Sequence, residues 1–143
     1  MKKIAFILLV LIFLVGCQRT PDIFHGDIEE VLKLGGSYNC TAVKEGEYDL
    51  NILIKNTKLK GSAKTKQGII ESVGDITDCV YGWYSESKKG QVVCITKEEL
   101  KQGISLLGKS KDTNITLDCT KYKIEEQIFQ KPKDVEFSAT TGP

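Results

Sequence analysis

The chain has 143 residues, with 20 Lys and Arg against 19 Asp and Glu and a single His. A formal net charge of +1 leaves no basic excess from which to build a nucleic-acid or anionic-membrane surface. The length suits one domain around one modest core.

Met1, Lys2 and Lys3 precede the apolar run Ile4 to Val15, which ends at Gly16 and Cys17. A charged start, about 7 to 15 apolar residues and a small residue before a cut mark a secretory signal peptide, too short for a bilayer span of about 20 residues. Residues 1–16 are therefore expected to be removed, taking Lys2 and Lys3 with them and leaving the chain close to neutral. "LVGC", Leu14 to Cys17, resembles the lipobox of bacterial lipoprotein precursors: Leu, a small or branched residue, Gly or Ala, then Cys. The resemblance implies a diacylglycerol on the Cys17 thiol, cleavage after Gly16 and an amino terminus open to acylation by a palmitate-type chain. Two or three chains at about 0.8 kcal/mol per buried methylene make a durable anchor. It further implies a lipid-anchored protein on the extracytoplasmic face of a cell membrane or outer membrane. Retention at the inner membrane chiefly uses Asp at the position that Gln18 occupies, so the outer leaflet or outer membrane is the expected address.

Residues 17–26, with Pro21, His25 and Gly26, read as a lipidated tether, and His25 as a solvated residue with no partner. A single domain is expected over 27–137. In "DIEEVLKLGG" Asp27 can cap a short helix, Glu29 and Glu30 lie at its positive end, and Gly35 can end it. From Ser37 the period becomes two. "YNCTAV" leads to "EYDLNILIK", where Tyr48, Leu50, Ile52 and Ile54 share one face; Asn56 and Thr57 turn the chain into "KLKGSAKT". "GIIESV" is a third strand of this set. "ITDCVYGWYS" and "GQVVCI" flank the turn "ESKKG", in a register that sets Cys79 opposite Cys94, Tyr81 opposite Val92 and Trp83 opposite Gly90. "TKEELKQGISLLG" has the helical period, with Thr96 and Glu99 as a capping box. "TNITLDCTKY" is a last strand, "IFQKPKDVEF" extended chain that packs back on the sheet, and 138–143 a frayed tail.

Cys40, Cys79, Cys94 and Cys119 form an even set behind an export signal, and no Cys-x-x-Cys occurs, so two disulfides are expected rather than a zinc or thioredoxin-type centre. Four cysteines allow three pairings. The hairpin register favours Cys79–Cys94, stabilising by roughly 3 kcal/mol on the chain-entropy model, and leaves Cys40 with Cys119 for about 4 kcal/mol. A first strand joined to the last suits a sheet that curls on itself. The fold expectation is α+β: a curled antiparallel sheet, an incomplete β-barrel, with one or two short packing helices.

"DIEEVLKLGGSYNCT", "LNILIKNTKLKGSAKT" to "DCVYGWYS", and "LDCTKYKIEEQIFQKPKDVEF" together resemble a group of small bacterial and archaeal surface lipoproteins. Tyr81 and Trp83 match its Tyr-x-Trp, and Phe129, Pro132, Asp134, Val135 and Phe137 match its Phe-x-x-Pro-x-Asp-Val-x-Phe. The likeness covers most of Asp27 to Phe137, adds support to Cys40–Cys119, and departs by carrying Cys79 and Cys94. The strand order also resembles the periplasmic lipoprotein carriers and their outer-membrane acceptors, incomplete barrels that wrap a helix and hold acyl chains.

No Gly-x-Ser-x-Gly or His-Glu-x-x-His occurs and the carboxylates are scattered among lysines, so neither catalysis nor a cofactor is expected. The first functional expectation is a binding module whose curled sheet holds an apolar ligand such as an acyl chain. Tyr48, Leu50, Ile52, Ile54, Tyr81 and Trp83 would line the site, although such a stripe is more often plain core. The alternative is a protein-binding envelope component, or an inhibitor of an attacking enzyme such as lysozyme, with Tyr81, Trp83 and Tyr84 as a contact patch.

Overall fold

The computed structural model describes residues 21–44, 47–101 and 115–140. Among these no helix is long and apolar enough to cross a membrane. The apolar run from Ile4, Cys17, and the continuation of the second helix beyond Lys101 lie outside the described residues.

The chain forms strand β1 (Ile23–Gly26), helix α1 (Ile28–Leu34), then β2 (Ser37–Lys44), β3 (Tyr48–Lys55), β4 (Lys58–Thr65), β5 (Gly68–Asp75), β6 (Cys79–Tyr84) and β7 (Lys89–Cys94). Helix α2 (Lys97–Lys101), β8 (Leu117–Lys121), a 3-10 turn (Glu126–Phe129) and β9 (Glu136–Ala139) complete it. The nine strands among the described residues belong to one sheet, in the order β1-β8-β2-β3-β4-β5-β6-β7-β9. The sheet is curled and unclosed, with β1 and β9 at its edges, and helix is a minor component among the described residues.

Local chemistry accounts for the turns. Asp27 and Glu30 form a reciprocal capping box: the Glu30 amide donates to Asp27 Oδ1 at 2.9 Å and the Asp27 amide to Glu30 Oε2 at 3.0 Å. Gly35 ends α1 at a φ of 67°. Asn56 turns β3 into β4 at a φ of 54°, and its Oδ1 accepts from the Gly36 amide at 3.2 Å, tying the hairpin tip to the start of β2. At the β5 to β6 turn, Asp75 accepts from the Thr77 amide and hydroxyl and from the Thr57 hydroxyl.

Both disulfides join residues directly opposite each other in antiparallel ladders: Cys40 with Cys119 across β2 and β8, and Cys79 with Cys94 across β6 and β7. The register expected for the second hairpin, Tyr81 with Val92 and Trp83 with Gly90, is present. Three boundaries differ from the sequence reading. The sheet starts at Ile23, inside the expected tether, because 23–26 pairs with β8. It continues through Ser138 and Ala139, expected to fray, because β9 pairs with β7, and in parallel rather than antiparallel sense. The Cys40–Cys119 bridge does not close a barrel, because β8 is inserted between β1 and β2 as their direct neighbour.

The main core lies on the concave face. Pairing carries one side-chain parity from Phe24 through Leu117 and Cys119, Tyr38 and Cys40, Ile52 and Ile54, to Leu59. Helix α1 lays Val31, Ile28 and Leu32 on these residues. Ile54 is 1% exposed, and its truncation to Ala is expected to cost about 2–5 kcal/mol in urea unfolding. Val43, 74% exposed on the opposite face, is the matched control, and Val43→Ala should stay within about 0.5 kcal/mol of the parent.

Candidate functional site

The concave face has two halves. Over β2 and β3 it is covered by α1, whose Val31 shares one buried cluster with Ile52 and Ile54, and Tyr48 and Leu50 pack against that cluster. Over β4 to β7 it is hollow. One row across these strands runs Gly61, Ser72, Gly82, Gln91, so the middle of the face carries little side-chain bulk. The row on one side is Leu59, Gly74, Val80, Val93, and on the other Ala63, Ile70, Tyr84. Small residues between apolar ones make a trough.

That trough is a groove of about 720 Å³ lined by Leu59, Ile70, Ile76, Val80, Tyr84 and Val93, with Gly82 in its floor. The volume falls within the roughly 300–1,000 Å³ range of small-molecule sites. Gln91, Ser138 and Lys89 supply its polar positions. Lys89 is the only ionisable group among the described lining residues apart from the Tyr84 hydroxyl. The arrangement can take up an apolar body and offers one cation to an anionic end.

The sequence-derived lining divides between the two faces. Ile52 shares its parity with Gly61, Ser72 and Gly82, so Tyr81 and Trp83 necessarily point to the convex side. Tyr48, Leu50, Ile52 and Ile54 belong to the core under α1, and none of the six residues except Trp83 borders the groove. Most of the residues that do line it escaped the sequence reading because they are spread over five strands and one turn. Their signal was the recurrence of Gly and Ser at register-matched positions, which becomes visible only once the strands are paired.

On the convex side the C-terminal segment crosses the sheet. Phe137 packs edge-on to Tyr81, ring centroids 5.0 Å apart, and to Trp83 at 5.8 Å. Its ring lies over Gly90, where a Cβ would meet it at 2.5 Å, so a residue without a side chain is needed there. Lys131 stands 5.1 Å above the Tyr81 ring. The preceding 3-10 turn is held by Glu126, whose carboxylate meets Lys58 Nζ at 2.7 Å and Lys55 Nζ at 2.9 Å. Lys55 Nζ also donates to the Ile124 carbonyl at 3.1 Å. Tyr81 and Trp83 thus secure the tail. His25, expected in a solvated tether, is on β1 with Nδ1 against Asp118 Oδ1 at 2.5 Å, both side chains remaining exposed.

The hydrogen bonds from Lys58 and Lys55 hold the Glu126 carboxyl down to about 2 from its ordinary 4.5, and Glu126 in turn raises Lys58. Burial alone would push the Asp75 carboxyl up, but the Thr77 and Thr57 hydrogen bonds and nearby Lys58 bring it below its usual range. No protein-family model, curated protein or solved structure matches the chain.

Two outcomes follow from this packing. A carboxyl with a depressed folded pKa stabilises the fold above its unfolded value and loses that contribution as pH falls through its folded value. The urea midpoint should therefore decline between about pH 4.5 and 2, and Glu126→Gln should decline less over that window. Phe137→Ala should red-shift the emission of Trp83, the sole tryptophan, and lower the stability by roughly 1–3 kcal/mol.

Proposed function

We propose that the chain is a non-catalytic binding module, anchored through lipidated Cys17 at the extracytoplasmic face of a membrane, whose groove holds the apolar part of a small amphiphile. The observation that carries this reading is the hollow over β4 to β7: an apolar trough, floored by Gly82, on the same concave face whose other half is filled by α1. A trough of this composition selects hydrocarbon by area removed from water, at about 25 cal/mol per Å². Lys89 suits a carboxylate or phosphate at one end of the ligand. The anchor belongs to the same proposal and draws its support from the lipobox-like "LVGC" at Leu14 to Cys17. The protein-binding alternative drew on an exposed aromatic patch, and of its three residues only Tyr84, 43% exposed, is free of the contact with Phe137.

Gly82 provides the test. A Cβ there would meet nothing closer than the Glu71 carbonyl at 3.8 Å, so a larger side chain can project into the trough without displacing the sheet. The parent protein should bind a fluorescent fatty acid such as parinaric acid, and Gly82→Leu should bind about tenfold more weakly or worse while unfolding at a similar temperature. Absence of saturable binding to the parent, or equal binding by both, would sink the proposal.

A further inference from the structure

The described residues begin at Pro21, and two hydrogen bonds tie this segment to the sheet. The Tyr38 hydroxyl donates to the Pro21 carbonyl at 3.1 Å, and the Lys121 amide donates to the Asp22 carbonyl at 2.8 Å. Immediately beside it stand two of the most exposed large apolar side chains, Ile23 at 76% and Tyr122 at 55%. Ile23 pairs with Thr120, and Tyr122 follows just past the end of β8 with its amide still paired to β2, so by strand parity the two share the convex face as diagonal neighbours. The Tyr122 amide donates to the Ser37 carbonyl at 3.0 Å, which fixes the backbone that carries its ring.

The sequence sets how far this corner can lie from an anchor at Cys17. The four residues from Cys17 to Pro21 reach at most about 14 Å, while a headgroup layer is roughly 5–7 Å deep on each side of a bilayer. A corner on so short a leash is held close to the lipid surface whatever the rest of the domain does. Its composition fits that place: an exposed branched aliphatic, a tyrosine whose ring is apolar and whose hydroxyl is polar, and Lys121 and Lys123 with long apolar stems. Its charge is balanced, since Lys121 Nζ lies 3.8 Å from Asp22 and Glu125 follows Lys123, so the contact calls for zwitterionic rather than anionic lipid.

We propose that this corner, Pro21, Ile23 and Tyr122 flanked by Lys121 and Lys123, docks into the headgroup layer of the membrane that holds Cys17 and sets the orientation of the domain. The inference rests on the lipidation of Cys17 and is independent of the groove. Tyr84, at the opposite end of the strands, then stands away from the bilayer, and with it the Lys89 end of the groove.

The test uses the lipidated chain, extracted from a host that processes it, in phosphatidylcholine vesicles whose acyl chains are brominated near the interface. Tyr122→Trp and Tyr84→Trp are compared with the parent, whose one tryptophan, Trp83, sets the background. The added emission of Tyr122→Trp should be quenched at least about twofold, that of Tyr84→Trp hardly at all, and anionic lipid should change neither. Vesicle-bound protein in which both added tryptophans are quenched alike, or neither is, overturns the docking. Protein that fails to float with the vesicles overturns the inference through its anchor, while binding of the fatty-acid probe still reports on the groove separately.

Discussion

The cross-link between Cys40 and Cys119 spans 79 residues of chain and sits, fully buried, between strands that are neighbours in the sheet. On the chain-entropy model a loop of that length stabilises by about 4–5 kcal/mol, comparable to the whole net stability of a small domain. Its topological consequence is larger still. It holds β8 between β1 and β2, so everything C-terminal to Lys121 starts on the far side of the sheet from the edge it reaches. The chain therefore crosses the convex face, makes the 3-10 turn held by Lys55 and Lys58, and adds β9 beside β7. Because the crossing also runs from the Lys121 end of the strands to the Lys89 end, β9 starts beside Lys89 and runs parallel to β7, while every other pair among the described strands is antiparallel.

Two apolar systems follow from that path, one on each face. The concave one combines α1 with β2, β3 and β8 and contains most of the fully buried side chains. The convex one is smaller and aromatic, built where Phe137 settles over Gly90 between Tyr81 and Trp83. Short α1 fills the β2 and β3 end of the concavity, and the row of Gly61, Ser72 and Gly82 leaves the other end hollow. Groove and core are thus continuous: Leu59, Ile76 and Val80 take part in both. A ligand would replace, for the second half of the sheet, the burial that α1 supplies for the first.

Much of the local structure was legible in the chain. Alternation and turn residues marked the six strands from Ser37 to Cys94, Asp27 marked the start of α1, and the flanking of "ESKKG" set the hairpin register on which the Cys79–Cys94 pairing rests. These features depend on residues within about one hairpin of each other, where side-chain chemistry and turn geometry decide the outcome. The edge strands were missed for the converse reason. Ile23–Gly26 is too short to show a period of its own and becomes a strand by pairing with a segment 93 residues away, as His25 meets Asp118. β9 likewise becomes a strand because β7 offers it an open edge.

The expected lining divides at the same boundary. Within each strand the sequence assigned the faces correctly: Tyr48, Leu50, Ile52 and Ile54 do lie together, and so do Tyr81 and Trp83. Which of the two sets faces inward is a property of the count of residues through three successive turns, and the paired register from Ile52 to Gly82 puts them on opposite sides. The amino-acid sequence by itself determined the alternation, the caps, the hairpin partners and the cysteines available for bridging, because these are encoded by neighbours along the chain. Only the tertiary structure decided which face is hollow and which aromatics are spent on the tail, because parity across a sheet accumulates over every turn and a single residue more or less would invert it.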